Sequence, residues 1–171
     1  MSLNETQSKI LKPFIEETIH TLKDMAGLDA TSGDGFQDSV EQFRFKGYAV
    51  AANTSGNLRG KLLMHLYLET ALEIGNKVNA LVLGDTEEHY EVTDKISEAL
   101  EEFGNTAIGL ATRGLDEAKL GIRFEPPFFI LKVDELEQLL TDVKEIISIP
   151  IHVNNVGRFY FNFLLEDVTE N

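Results

Sequence analysis

The sequence predicts an α/β (α+β) fold in which long helices pack on a mostly antiparallel sheet, built from one helix-strand-strand unit used twice. Two internal echoes support this. Gly60-Lys61-Leu62-Leu63-Met64-His65-Leu66-Tyr67-Leu68-Glu69 aligns without a gap on Gly157-Arg158-Phe159-Tyr160-Phe161-Asn162-Phe163-Leu164-Leu165-Glu166, and each copy follows a strand-like segment and a polar turn. A weaker echo pairs Glu16-Glu17-Thr18-Ile19-His20 with Glu101-Glu102-Phe103-Gly104-Asn105, so both halves begin with the same kind of helix. The third observation is the alternation of helical and strand-like apolar spacing along the chain, which gives a sheet with helices laid on it and a pseudo-twofold repeat.

The first helix rests on Leu11, Phe14, Ile15, Ile19, Leu22 and Met25, recurring at helical spacing and ending near Gly27; Pro13 fits if it lies in the first turn. The turn-rich Asp29-Ala30-Thr31-Ser32-Gly33-Asp34-Gly35 reads as a loop. Strands follow at 43–52 and 58–68, joined through Thr54-Ser55-Gly56-Asn57 as a hairpin. Ala71, Ile74, Val78 and Val82 mark a helix over 69–83 closed by Gly84, and a charged linker leads into a long helix at 91–116. Later strands are expected at 120–125, 128–133, 146–153 and 157–166, with Asn154-Asn155-Val156-Gly157 as a hairpin turn. The apolar runs Phe128-Phe129-Ile130-Leu131 and Phe159-Tyr160-Phe161 are expected to leave a sheet edge that a second copy would cover.

A chain of 171 residues fits a single domain over 1–171, long enough to bury about two-thirds of the surface its unfolded form would expose. Without cysteine there are no disulfides, thiolate metal sites or thiol nucleophiles. No apolar run reaches the roughly eighteen residues of a membrane span, and the polar start has no signal-peptide pattern, so the expected location is the cytoplasm. The net charge of −14 opposes phosphate backbones and anionic lipid, which argues against nucleic acid and membrane as partners; it also keeps such a protein soluble. His20, His65, His89 and His152 fall in no metal-ligand spacing, and there is no phosphate-cradling Gly-x-x-x-x-Gly-Lys loop, nucleophile elbow or Rossmann fingerprint. No metal site and no cofactor of its own are expected.

The long helix at 91–116 carries the chemistry. At about 100° per residue, Ile96, Leu100, Phe103, Ala107 and Ala111 gather on one face, and Glu98, Glu102, Asn105 and Gly109 on the other. Gly104 and Gly109 each cost roughly 1 kcal/mol against alanine in a helix, which suits a surface another backbone approaches. Glu102 and Asn105 are the catalytic candidates; Glu98 and Gly109 are candidates for contact with a partner. Two other pairs share the spacing, Glu17 with His20 and Glu73 with Asn76, and the second reads as a solvated helix face.

Glu102-Phe103-Gly104-Asn105, followed after twenty residues by Pro126-Pro127, resembles the motif of the CheC/CheX chemotaxis phosphatases: Glu-x-x-Asn on a long helix with proline at a fixed distance. The similarity is to the CheX branch, with one active motif, and runs from the first helix to the last strand. It implies a CheC-like fold, a homodimer, and hydrolysis of the aspartyl phosphate on a CheY-like response regulator in chemotaxis or two-component signalling. It further implies that Asn105 directs the attacking water, that Glu102 pairs with the receiver's active-site lysine, and that magnesium belongs to the receiver. In two-site members each long helix carries a motif, so Glu17 with His20 resembles a lost site. Glu73 with Asn76 lies on the helix that is not catalytic in that family and has no proline at the required distance. One departure is Glu98, where the family has Asp or Ser; it puts efficiency and receiver preference in question. The rival reading is a non-catalytic receiver-binding adaptor related to the flagellar switch proteins, which share that fold.

Overall fold

A computed structural model describes residues 5–44, 47–56, 59–117, 121–130 and 133–166. Helix α1 (Glu5–Ala26) is followed by two short strands, β1 (Ala30–Ser32) and β2 (Phe36–Asp38), then by β3 (Tyr48–Gly56) and β4 (Gly60–Leu66). Helix α2 (Leu68–Val78) runs on as a single wide π-helical turn, Asn79–Leu83, before α3 (Asp94–Glu117). Strands β5 (Ile122–Phe124) and β6 (Phe128–Ile130), helix α4 (Val133–Leu139) and strands β7 (Val143–Val153) and β8 (Gly157–Glu166) complete the described chain.

The strands form one antiparallel sheet in the order β1-β7-β8-β4-β3-β5, with β2 also on β7 and β6 also on β3. Its centre shows why the sequence echoes itself. The ungapped alignment equates Met64 with Phe161, and these two residues lie directly opposite each other in the β4–β8 pairing. The repeat axis therefore passes through that pair, with β3 and β7 flanking it on either side. Helices α1 and α3, the two repeat-related helices, pack against each other, and α2 packs on both.

Alternation along each strand splits the sheet into two faces. On the helix side, Val50, Leu62, Met64, Ile149, Phe159 and Phe161 meet Phe14, Leu22, Ile74, Ile96 and Phe103 in the main core. The opposite side has a smaller core of Phe43, Ala49, Ala51, Leu63, Val143, Ile146 and Leu164. The stripe read from α3 holds, since Ile96, Leu100, Phe103, Ala107 and Ala111 are all buried. Thr93 caps α3, its hydroxyl accepting from the Ile96 N–H at 3.4 Å.

Several expectations need correcting. Pro13 lies well inside α1, which begins by Glu5, and there it packs toward Gly114 of α3. The loop over 29–35 contains β1 and borders β2, both recruited by pairing with β7. The first hairpin starts at Tyr48, so Phe43 is a turn residue buried on the far face; the second strand ends at Leu66, leaving Leu68 to open α2. Residues 57 and 58 of that hairpin, 120 at the start of the next expected strand, and 131 and 132 lie outside the described residues. Helix α4 replaces the end of the strand expected at 128–133. Strand β8 lies between β7 and β4, so Phe159-Tyr160-Phe161 is central and forms no edge. The β7–β8 turn is as expected, with Asn155 at φ 62°.

Gly104 also differs from its expected role. A Cβ at that position would stand 2.5 Å from Val50 Cγ1, so this glycine lets α3 approach its own sheet and no partner is involved. Gly109 is exposed, and a Cβ there would enter open space. We expect Gly104→Ala to destabilise the fold by about 1–3 kcal/mol despite its gain in helix propensity, and Val50→Ala to recover part of that loss when combined with it. A chemical-denaturation double-mutant cycle measures this; additive losses would contradict the contact.

Candidate functional site

The outward face of α3 is placed by what its inward face needs. Burying Ile96, Phe103 and Ala107 against the sheet turns Glu98, Glu102, Asn105 and Gly109 to solvent. Glu98, Glu101, Glu102 and Asn105 form one wall of a groove of about 390 Å³, and Pro126 and Pro127 form the other. The proline wall lies between β5 and β6, both of which pair with β3. Asn53 of β3 fastens it twice: its carbonyl accepts from the Glu125 N–H at 2.9 Å, and its Nδ2 donates to Glu125 Oε2 at 3.0 Å. The two prolines have no backbone N–H to satisfy and fixed φ, so they make a stiff wall.

Within this groove, no hydrogen bond or ion pair among the described residues engages the side chains of Glu102 and Asn105. The Asn105 carboxamide thus presents both donor and acceptor outward. Glu102's backbone carbonyl accepts from Thr106 Oγ1 at 2.9 Å, a local bond that leaves the carboxylate free. Among the described residues, three glutamates and no basic residue line the groove, so its field favours a partner that brings positive charge. Of the four residues singled out in the sequence, the structure gathers Glu98, Glu102 and Asn105; Gly109 lies on the same face beyond the groove lining. Glu101 joins the lining through the same helix turn, and the prolines join it across the groove.

The competing pairs are used otherwise. Asn76 donates from Nδ2 to the His89 carbonyl and accepts the His89 N–H at Oδ1, both at 2.8 Å, so its carboxamide is consumed in holding the loop between α2 and α3. His20 pairs with Asp24 at 3.0 Å along α1, and its imidazole cannot offer a carboxamide's paired donor and acceptor. Sequence spacing alone could not separate Asn76 from Asn105, because the distinction rests on a loop thirteen positions away.

That loop forms a clasp the sequence did not reveal. Asp85 accepts from the Glu87 N–H at 3.0 Å, and its other oxygen lies 3.2 Å from both His89 Nε2 and Lys95 Nζ. These bonds, led by the Glu87 N–H and followed by His89 and Lys95, hold the Asp85 carboxyl below its ordinary 3.8. His89 Nδ1 reaches the Thr93 hydroxyl at 3.4 Å, tying the clasp to the cap of α3. Ligand atoms of Asp85, Glu87 and His89 lie within 4.8 Å of one another, but Lys95 already supplies a cation there.

A protein-family model described as chemotaxis phosphatase CheX matches residues 48–152, a span that holds α3, the groove and the proline wall. The chain belongs to the CheX chemotaxis phosphatase family. No curated protein matches it by sequence. Among solved structures it is similar to a chemotaxis protein CheX from Desulfovibrio desulfuricans, with 22% identity, a TM-score of 0.73, and 92% of this chain and 99% of that one covered. It is also similar to a CheC-like superfamily protein from a Shewanella species, with 18% identity, a TM-score of 0.73, and 96% and 100% covered. A third likeness is to the CheX–CheY–BeF3–Mg complex from Borrelia burgdorferi, with 20% identity, a TM-score of 0.71, and 92% and 98% covered. These likenesses establish the CheC-like fold expected from the sequence. Among the described residues no helix is long and apolar enough to cross a membrane.

Because folding lowers the Asp85 pKa, its contribution to the clasp is full above the ordinary carboxylate value and is lost as pH falls below about 3.8. Protection of the His89 amide, relative to its unstructured exchange rate, is expected to fall in that acid range and, at neutral pH, in Asn76→Ala. Equal protection of His89 in wild type and Asn76→Ala would contradict this role.

Proposed function

We propose that this protein hydrolyses the aspartyl phosphate of a CheY-like response regulator, with Asn105 and Glu102 as its working pair. The observation that carries the reading is their joint exposure, with side chains unengaged among the described residues, in the groove facing Pro126 and Pro127. Membership of the CheX chemotaxis phosphatase family supports it, as does the likeness to a CheX solved with CheY.

Phosphoryl transfer needs little covalent help; positioning an in-line water and stabilising charge supply most of the acceleration. In this reading the Asn105 carbonyl accepts a hydrogen bond from the attacking water and aligns it, with no change of protonation state. Glu102 pairs with the receiver's active-site lysine and sets the register of α3 over the acyl phosphate. The magnesium belongs to the receiver. Glu98, one turn before Glu102, and Gly109, one turn beyond Asn105, meet the receiver on either side of the reacting pair, and the acidity of the groove selects receivers with basic residues there.

Phosphate release from a receiver charged with a small acyl-phosphate donor tests the mechanism. Wild type is expected to accelerate loss; Asn105→Ala is expected to lower the rate roughly 10²-fold or more with binding retained. Glu102→Ala is expected to weaken receiver binding, by about 2–5 kcal/mol if the pair is desolvated. Binding without acceleration by wild type would favour the adaptor reading, and no binding to any receiver would remove the proposal. The protein acts as a homodimer in this reading, joined at the β6 edge, where Phe128 is exposed; a monomer mass by light scattering at micromolar concentration would overturn that.

A further inference from the structure

The face of the sheet turned away from the helices carries a second, different site. Along β4, β8 and β7 the small far-side core of Leu63, Leu164 and Ile146 gives way, one alternate position on, to His65, Asn162 and Ser148. These three are polar yet only 4%, 2% and 1% exposed. Asn162 lies directly across from Ser148 in the β7–β8 register, and a cavity of about 190 Å³ opens over them. Strand β2 and the turn after it supply the rest of the lining, including Asp38 and Arg44.

The hydrogen bonding leaves one group unmatched. Asn162 Nδ2 lies 2.8 Å from Ser148 Oγ, and Ser148 Oγ lies 3.3 Å from Asp38 Oδ2. A hydroxyl has a single proton, and ionised Asp38 can only accept, so Ser148 donates to Asp38 and accepts from Asn162. This fixes the orientation of the Asn162 amide and leaves Asn162 Oδ1 buried with no partner. A buried acceptor without a donor is uncommon and unfavourable, and the asparagine that carries it lies beneath the cavity it helps to line.

The charges around it add a second constraint. Asp38 and Arg44 both line the cavity, and among the described residues neither takes part in an ion pair, so they do not neutralise each other. Arg44 Nη1 donates to the carbonyls of Glu41 at 2.7 Å and Phe43 at 2.9 Å, which holds the guanidinium in place and leaves its other N–H groups available. Phe36, Phe43, Tyr67 and Tyr160 provide apolar and aromatic surface between the two charges. The volume is below the roughly 300–1,000 Å³ of sites for drug-sized ligands.

We propose that this pocket binds a free amino acid. Its ammonium group would donate to Asn162 Oδ1 and face Asp38, its carboxylate would face Arg44, and its side chain would lie among the aromatic rings. One ligand then supplies the missing donor and complements both charges. The site lies on the opposite side of the sheet from the α3 groove and does not depend on the phosphatase reading.

Each of the twenty protein amino acids, added singly at millimolar concentration to the whole protein, is to be followed by melting temperature and by the side-chain amide resonance of Asn162. At least one is expected to raise the melting temperature by several degrees and shift that resonance. Asp38→Asn and Arg44→Gln are each expected to weaken its binding roughly tenfold or more while melting close to wild type without ligand. Three results would overturn the proposal: no amino acid moving the Asn162 resonance, binding indifferent to both substitutions, or acetate or methylammonium binding as tightly as any amino acid.

Discussion

The register of β4 against β8 is the constraint on which the rest of this structure depends. With Met64 opposite Phe161, the two halves of the chain meet at equivalent positions. The sheet is continuous across the join, and the two long helices lie side by side on one face. Gly60 is part of how this is achieved, since a side chain there would collide with the Leu164 carbonyl on β8. A one-residue slip would turn one strand's set, Leu62 and Met64 on β4 or Phe161 and Phe163 on β8, away from the helices and take it out of the main core. The position of α3, and with it the groove, follows from that register.

The two halves then diverge in use. On α3 the side chains of Glu102 and Asn105 are left unengaged among the described residues and face a proline wall anchored by Asn53. On α1 the equivalent stripe holds Glu17 and a His20 occupied with Asp24. The same short pattern on α2 serves structure, because both ends of the Asn76 amide are spent on His89. Glu-x-x-Asn spacing is therefore permissive, and the surroundings decide between chemistry and architecture. Asn76 nevertheless serves α3 indirectly, through the clasp that reaches its Thr93 cap.

Much of this was legible in the sequence. The α3 stripe, with Glu102 and Asn105 on its polar side, the internal echo and the β7–β8 hairpin follow from periodicity and spacing, while the link from that pair to the prolines came with the family resemblance, which pointed to the family the chain belongs to. What escaped shares a physical cause. Strands β1 and β2 are three residues each, rich in turn-formers, and exist because β7 is long enough to recruit them. The central place of β8 was hidden because alternation shows which residues face a core and is silent on which strands are neighbours. Pro13 sits mid-helix, where tertiary packing against α3 overrides its local preference. The Asn162 pocket was invisible for the same reason, since its polar groups come from four strands and a turn distant in sequence.

The most direct test of the account is to follow the side-chain amide resonances of Asn105 and Asn76 while a beryllofluoride-loaded, magnesium-bound receiver domain is titrated into the isotope-labelled protein. The account requires Asn105 to shift and broaden with the acyl-phosphate mimic in place, while Asn76, on α2 and bonded to His89 of the loop that follows, keeps its position. A shifted Asn76 beside an unmoved Asn105, or no response in either with the complex formed, would contradict the assignment of the α3 groove as the reacting surface.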